Sequence, residues 1–291
     1  MYALDYIGFG FLLAAFLFSR TFLPFHRMFS LDDEAIQYPH AEHERVPTAI
    51  LYIYAIAIPF GVITAYLLIG RASAHKLHVS LLGLGITLVL TEFLTNIGKN
   101  AIGRPRPDLL DRCDPASNTP KTGLVNYSVC TETDQGMLQD GWRSFPSGHS
   151  SFSFAGLGYL ALHLAGQLGA LRTGANLPSL LLCLLPLLAA AGVAISRLED
   201  YRHDPYDVTA GSLLGFTVAY VCYRRYFPRL RSANCSEPFA LATEHTLLKQ
   251  RDEEMGTEGV RGVGEFELTA DDDSENGEER EPMQVNGRVD G

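Results

Sequence analysis

Apolar residues along this chain gather into long unbroken runs rather than into an alternating or strictly amphipathic pattern. Six such runs, Tyr2–Arg20, Thr48–Gly70, Leu77–Ile97, Ser151–Leu171, Leu177–Ile195 and Val208–Tyr226, approach the ~20 residues with which a helix crosses the hydrocarbon layer. Helical amphipathic spacing is absent from the second, third and fifth, which read as apolar nearly all round. Asp5 interrupts the first run, and Thr209, Ser212 and Thr217 make the sixth only moderately apolar. The pattern predicts an all-α polytopic membrane protein, a six-transmembrane-helix bundle. The N-terminus lacks a basic stretch and a small-residue cleavage site, so the first run is expected to stay in the membrane.

The mean hydropathy of +0.06 conceals two different polymers. From about residue 232 to Gly291 the chain carries 16 Asp/Glu against 5 Lys/Arg; everything before it is close to neutral. A segment such as Glu275-Asn276-Gly277-Glu278-Glu279 has too little apolar surface to offset its ordering entropy. The expected division is a six-span domain over residues 1–231 and a disordered acidic tail over 232–291.

Basic residues do not fix the sidedness. Arg71, Lys76, Arg172, Arg224, Arg225, Arg229 and Arg231 would share one side with both termini, which the excess of cytosolic Lys and Arg makes cytosolic. The opposite side also holds Lys99, Arg104, Arg106, Arg143, Arg197 and Arg202. Two further signals lie in the loop 100–146. Cys113 and Cys130 suit a disulfide in an oxidising compartment, and Asn126-Tyr127-Ser128 is an N-glycosylation sequon. Chance sequons and free cysteine pairs are each ordinary, but their agreement on one loop assigns it to the lumenal or extracellular side and the tail to the cytosol. Cys183 and Cys222 lie in apolar runs and read as small packing residues.

Three polar islands interrupt the apolar runs, and in a six-span arrangement all emerge on that non-cytosolic face. At the first, Gly103 and the prolines end a helix, and Lys99, Arg104 and Arg106 crowd positive charge that an anion would relieve. The second is Pro146-Ser147-Gly148-His149, where Ser147 suits an N-cap, Gly148 lets backbone approach a ligand, and the helix N-terminus favours an anion. The third runs from Ser196 to Asp207, with Asp204-Pro205 opening a helix, His203 just before it and Asp207 in its first turn. A carboxylate within reach of one imidazole nitrogen fixes the tautomer and leaves the other free to attack. Singly, these are also a membrane-edge anchor, an ordinary cap and a dipole-complementing acid.

Together the islands match K-x6-R-P, then P-S-G-H, then S-R-x5-H-x3-D, through Lys99, Arg106-Pro107, Pro146 to His149, Ser196-Arg197, His203 and Asp207. With these motifs the chain resembles the type 2 phosphatidic acid phosphatase superfamily, which includes the lipid phosphate phosphatases and shares its site with vanadium haloperoxidases. The resemblance covers about residues 1–230, including Arg27 to Asp33, and is most similar to fungal diacylglycerol pyrophosphate phosphatases. It implies a phosphohistidine on His203, Asp207 orienting that ring, and His149 protonating the leaving oxygen and then activating water. It further implies Lys99, Arg106, Ser147, Gly148 and Arg197 as the phosphate clamp, with no metal or other cofactor. The expected partner is a membrane lipid phosphate (phosphatidate, lysophosphatidate or diacylglycerol pyrophosphate), with no nucleic acid. Sphingoid phosphates and polyprenyl diphosphates fit the same machinery, and a catalytically silent scaffold or transporter is the competing class. Organelle, acyl preference and oligomeric state stay open.

Overall fold

The computed structural model describes residues 2–239, which form six long helices and several short ones. We label the long ones α1 (Ala3–Ser19), α2 (Thr48–Ile69), α3 (Ala74–Ile102), α4 (Gly148–Gln167), α5 (Leu177–Glu199) and α6 (Pro205–Tyr226). Their ends follow local chemistry. The Ser73 hydroxyl accepts from the Lys76 N–H to open α3, and the Asn176 side chain accepts from the Ser179 N–H to open α5. Ser147 opens α4 in the same way, and Asp204 and Asp207 form a reciprocal capping pair at α6, with Pro205 in its first turn. Helix α3 stops at Gly103, whose φ of +56° is left-handed. A Cβ there would stand 1.7 Å from the Phe25 carbonyl oxygen, so both conformation and space require glycine.

The all-α class stands, but the six-span expectation is corrected to three. Among the described residues, only α2, α3 and α5, at 22, 29 and 23 residues, are long and apolar enough to cross a membrane. Helix α1 is apolar but has 17 residues, and neither α4 nor α6 joins the three. The physical reason is clearest in α4. Its run is apolar because it is the bundle's core: it packs against α6, α5 and α3 and is buried almost throughout. It carries Ser150, Ser151, Ser153 and His163 inward, and α6 carries Asp207, Arg224 and Arg225. A long apolar run reads alike whether lipid or protein covers it. The result is a multi-pass membrane protein with protein-covered helices beside its spans.

Close helix contacts set the packing around α4. Helix α2 contains a widened turn at Ile53–Ala57 just before Pro59, and there the Ala55 carbonyl lies over Gly156 of α4. A Cβ on Gly156 would come within 1.9 Å of that oxygen. The Thr95 and Ser151 hydroxyls pair at 2.8 Å between α3 and α4.

The two ends of α3, about 43 Å apart at 1.5 Å per residue, carry different structures. At its start, Lys76 Nζ pairs with Glu237 Oε1 at 3.0 Å, and Gln167 donates to the Ser236 carbonyl at 2.9 Å. Cys235 is buried there too, so residues 232–239 pack against the bundle. The remainder of the acidic segment expected to be disordered, 240–291, lies outside the described residues. At the other end of α3 sits a cap built from residues 25–40 and 104–146. Phe29, Ile36, Leu109, Leu138 and Trp142 form its small core, beside a Cys113–Cys130 disulfide. The Trp142 indole N–H donates to the Arg27 carbonyl at 2.9 Å. Asn126 is exposed on this cap, its side chain accepting from the Ser128 N–H at 3.1 Å.

Candidate active site

Four helix ends converge beneath the cap: the C-termini of α3 and α5 and the N-termini of α4 and α6. Between them lies a cavity of about 300 Å³ lined by Glu44, Thr48, Lys99, Arg106, Asp140, Gly148, His149, Arg197, Arg202 and His203. The three sequence islands, separated by up to about a hundred residues, thus meet on one wall.

His203 is 4% exposed and sits in the α5–α6 turn. Its Nδ1 faces Asp207 Oδ2 at 3.6 Å, one turn along in α6, and has no hydrogen-bond partner among the described residues. Its Nε2 lies 3.4 Å from Arg106 Nη1, on the cavity side. Burial, followed by the Arg106 charge, pushes the ring's pKa well below its ordinary value despite the opposing pull of Asp207. The ring is thus held neutral, with its Nε2 lone pair turned toward the cavity and the Arg106 guanidinium.

Asp207 is fully buried. Arg104 Nη1 donates to its Oδ1 at 2.8 Å, and the Asp204 N–H donates to Oδ2 at 3.1 Å. The Ser144 hydroxyl also donates to Oδ2. Burial alone would raise this carboxyl, but the His203 ring, Ser144 and Arg104 prevail and hold it at about 2. It is therefore a fixed anion behind His203.

His149 lies in the first turn of α4. Its Nε2 is 3.1 Å from the Val46 carbonyl and 3.7 Å from Glu44 Oε2. Burial, then Arg197, lowers the ring to about 4, against the upward pull of Glu44.

The cations are held rather than loose. Arg197, 1% exposed, donates from Nη2 to Asp200 at 2.9 Å and from Nη1 to Glu44 at 3.1 Å. Arg106 donates to the Asp140 carboxylate at 3.0 Å and to the Arg202 carbonyl at 3.0 Å. Lys99 Nζ donates to the Arg143 carbonyl at 2.8 Å. Ser147 stands apart from the other expected clamp residues. It does not line the cavity; its hydroxyl caps α4, and its N–H donates to the Asp207 carbonyl at 3.0 Å. It ties the second island to the third.

A second cavity of about 470 Å³ adjoins the first and shares Lys99, Asp140 and Gly148 with it. Phe9, Phe16, Ile56, Leu88, Val89 and Phe152 give it an apolar wall, with Arg20, Glu92 and Arg143 among its polar lining. Among the described residues, no three His, Cys, Asp or Glu side chains are grouped to hold a metal ion.

Motif reading missed Glu44, Asp140 and Arg202, which line the first cavity, and Arg104 as the partner of Asp207. The available signal was charge balance: buried cations need counter-anions, which Glu44 and Asp140 supply. Glu44 lies in a short polar segment with no periodicity, so nothing in its neighbours marked it.

The PAP2 superfamily model matches residues 80–231. The chain is 45% identical to the "Probable diacylglycerol pyrophosphate phosphatase 1" of Schizosaccharomyces pombe, over 76% of this chain and 80% of that one. It is 45% identical to the Diacylglycerol pyrophosphate phosphatase 1 of Saccharomyces cerevisiae, over 70% and 72%. To the Lipid phosphate phosphatase 2 of Arabidopsis thaliana it is 38% identical, over 70% of each. No solved structure matches the chain. The matched stretch contains the four helix ends that carry Lys99, His149, Arg197 and His203, and on that coverage and identity the chain belongs to the PAP2 superfamily.

Proposed function

We propose that this protein is a membrane lipid phosphate phosphatase, hydrolysing phosphatidate, diacylglycerol pyrophosphate and related lipid phosphates. Its fungal relatives are named for the second of these substrates. The observation that carries the reading is the pair of adjoining cavities. A polar chamber with two histidines and four cations shares Lys99, Asp140 and Gly148 with an apolar-walled chamber. A phosphate headgroup fits the first and an acyl chain the second.

In the proposed reaction, His203 Nε2 attacks phosphorus while Asp207 stabilises the charge that develops on the ring. The bond from phosphorus to the lipid oxygen breaks, and that oxygen takes a proton from His149, whose imidazolium the bound phosphate anion stabilises against burial and Arg197. A phosphohistidine remains. His149, now neutral, takes a proton from water as the water oxygen attacks phosphorus, and the phosphorus–nitrogen bond breaks to restore His203. Lys99, Arg106 and Arg197 neutralise the equatorial oxygens, with the Gly148 N–H at the N-terminus of α4. These groups supply the electrostatic stabilisation that magnesium provides elsewhere, so the reaction is assigned no metal.

Acyl burial contributes about 0.8 kcal/mol per methylene. Long-chain phosphatidate in mixed micelles is therefore expected to exceed a short water-soluble phosphate ester in kcat/KM by at least ~100-fold. Equal values for the two would contradict the lipid assignment.

The catalytic end is assigned to the non-cytosolic face. Supporting this, the cap over the cavity carries the Cys113–Cys130 disulfide and the exposed sequon at Asn126. The far end of α3, a span in its own right, carries the 228–239 segment with Arg229 and Arg231, which suits the cytosol. In sealed vesicles from expressing cells, a glycosidase-sensitive mass shift abolished by Asn126→Gln is the expected result. A reporter at Asn126 reached by an impermeant reagent from the cytosolic side would reverse the orientation.

A further inference from the structure

Glu44 lies between Ile36 and Thr48, outside every motif that marks the site, yet its carboxylate forms part of the cavity wall. Oε2 stands 3.1 Å from Arg197 Nη1 and 3.7 Å from His149 Nε2. Oε1 accepts from Arg202 Nε at 3.2 Å and from Arg202 Nη2. The neighbouring backbone fixes this placement. The Arg45 N–H donates to Asp200 Oδ2 at 3.0 Å, and the Val46 carbonyl lies 3.1 Å from His149 Nε2. One short stretch of chain therefore ties His149 to the Arg197 clamp.

The charges around His149 are mostly of the wrong sign for a proton donor. Arg197 from α5 and Lys99 from α3 both act against its protonated form, and Arg106, Arg202 and His203 share the cavity wall. The cavity's other carboxylate, Asp140, is engaged by Arg106 at 3.0 Å and Arg112 at 3.3 Å. Among the described residues, Glu44 is the only acid within 4 Å of the His149 ring.

We propose that Glu44 is a positioning residue for the acid–base histidine: with the Val46 carbonyl it engages Nε2–H of His149, stabilises the imidazolium, and leaves Nδ1 to carry the transferred proton. As the bond from phosphorus to the lipid oxygen breaks, its electron pair stays on that oxygen, which takes the Nδ1 proton. The ring is left neutral with Nε2–H still held, ready to accept a proton from water at Nδ1. This inference rests on the phosphatase reading above and on His149 as its acid.

The test compares wild type, Glu44→Gln, Glu44→Asp, His149→Ala and the double variant Glu44→Gln/His149→Ala, each as full-length protein in micelles. Phosphatidate is the substrate with a poor leaving group. An aryl phosphate is the one whose leaving group departs without protonation. In single-turnover release of the leaving group, which isolates the first step, Glu44→Gln is expected to be ~10-fold slower on phosphatidate and less than ~2-fold slower on the aryl ester. Removing the carboxylate lowers the acid's pKa, so the alkaline limb of its kcat–pH profile moves to lower pH. Glu44→Asp, which keeps the charge, recovers most of the rate. On phosphatidate, where Glu44→Gln alone has its ~10-fold effect, the double variant is no slower than His149→Ala alone. Equal losses on both substrates, an unmoved alkaline limb, or an additive double variant would each overturn the proposal and leave Glu44 a loop anchor. Failure of the underlying reading looks different: His149→Ala would then turn over phosphatidate at the wild-type rate. Thermal melting in detergent separates misfolded variants from these outcomes.

Discussion

Replacing His203 with alanine is expected to lower phosphatidate turnover by at least ~10⁴-fold while KM changes little. The imidazole turns Nε2 toward the cavity, 3.4 Å from Arg106 Nη1, and burial beside Arg106 keeps that lone pair unprotonated near neutral pH. The clamp residues remain in place without it. Arg106 keeps its bonds to Asp140, and Arg197 keeps those to Asp200 and Glu44. Substrate should therefore still bind while chemistry stops. Steady-state kinetics in mixed micelles with excess EDTA check this. Retention of more than about a hundredth of wild-type kcat would remove His203 from the nucleophile's role.

Asp207→Asn is expected to cost about 10³-fold in kcat, through loss of the fixed anion that stabilises the charged His203 ring. The same change removes a charge that Arg104 and Ser144 hold, so it acts on stability as well. The sign follows from the depressed carboxyl pKa, about 2 against an ordinary 3.8. A carboxyl held below its unfolded value stabilises the fold fully above the unfolded pKa. That contribution fades as pH falls through the folded value. The melting-temperature gap between wild type and Asp207→Asn should be open at neutral pH and close between about pH 4 and 2. A gap that persists unchanged down to pH 2 would mean that Asp207 acts through shape and not through charge.

The grouping of the motif residues was legible in the sequence because they sit at helix ends, where residue type and position are coupled. Gly103, Ser147 and Asp204-Pro205 marked the termini of α3, α4 and α6, and the motif residues beside them meet at the cavity. The number of spans was not legible in the same way. Apolarity reports removal from water, and α4 is removed from water by α3, α5 and α6 themselves. Its inward Ser150, Ser151 and Ser153 were the available hint, since a lipid-facing helix has little use for hydroxyls on several faces. Ser147 shows the converse. Its motif position suggested a phosphate ligand, but the structure commits its hydroxyl to the α4 cap and its N–H to Asp207. Glu44 and Asp140 lay outside any pattern because counter-ions are recruited through space, and a sequence separation of 153 residues between Glu44 and Arg197 leaves no local trace.

The central claim is the double displacement through His203, and the stereochemical course at phosphorus tests it most directly. The substrate is a lipid thiophosphate made chiral at phosphorus by sulfur and two oxygen isotopes, hydrolysed by the purified wild-type protein in micelles containing EDTA and water of the third isotope. Two in-line displacements, onto His203 and then onto water, each invert phosphorus, so overall retention of configuration is the predicted result. Overall inversion would mean that water attacks the lipid phosphate in one step, and would contradict the phosphohistidine mechanism.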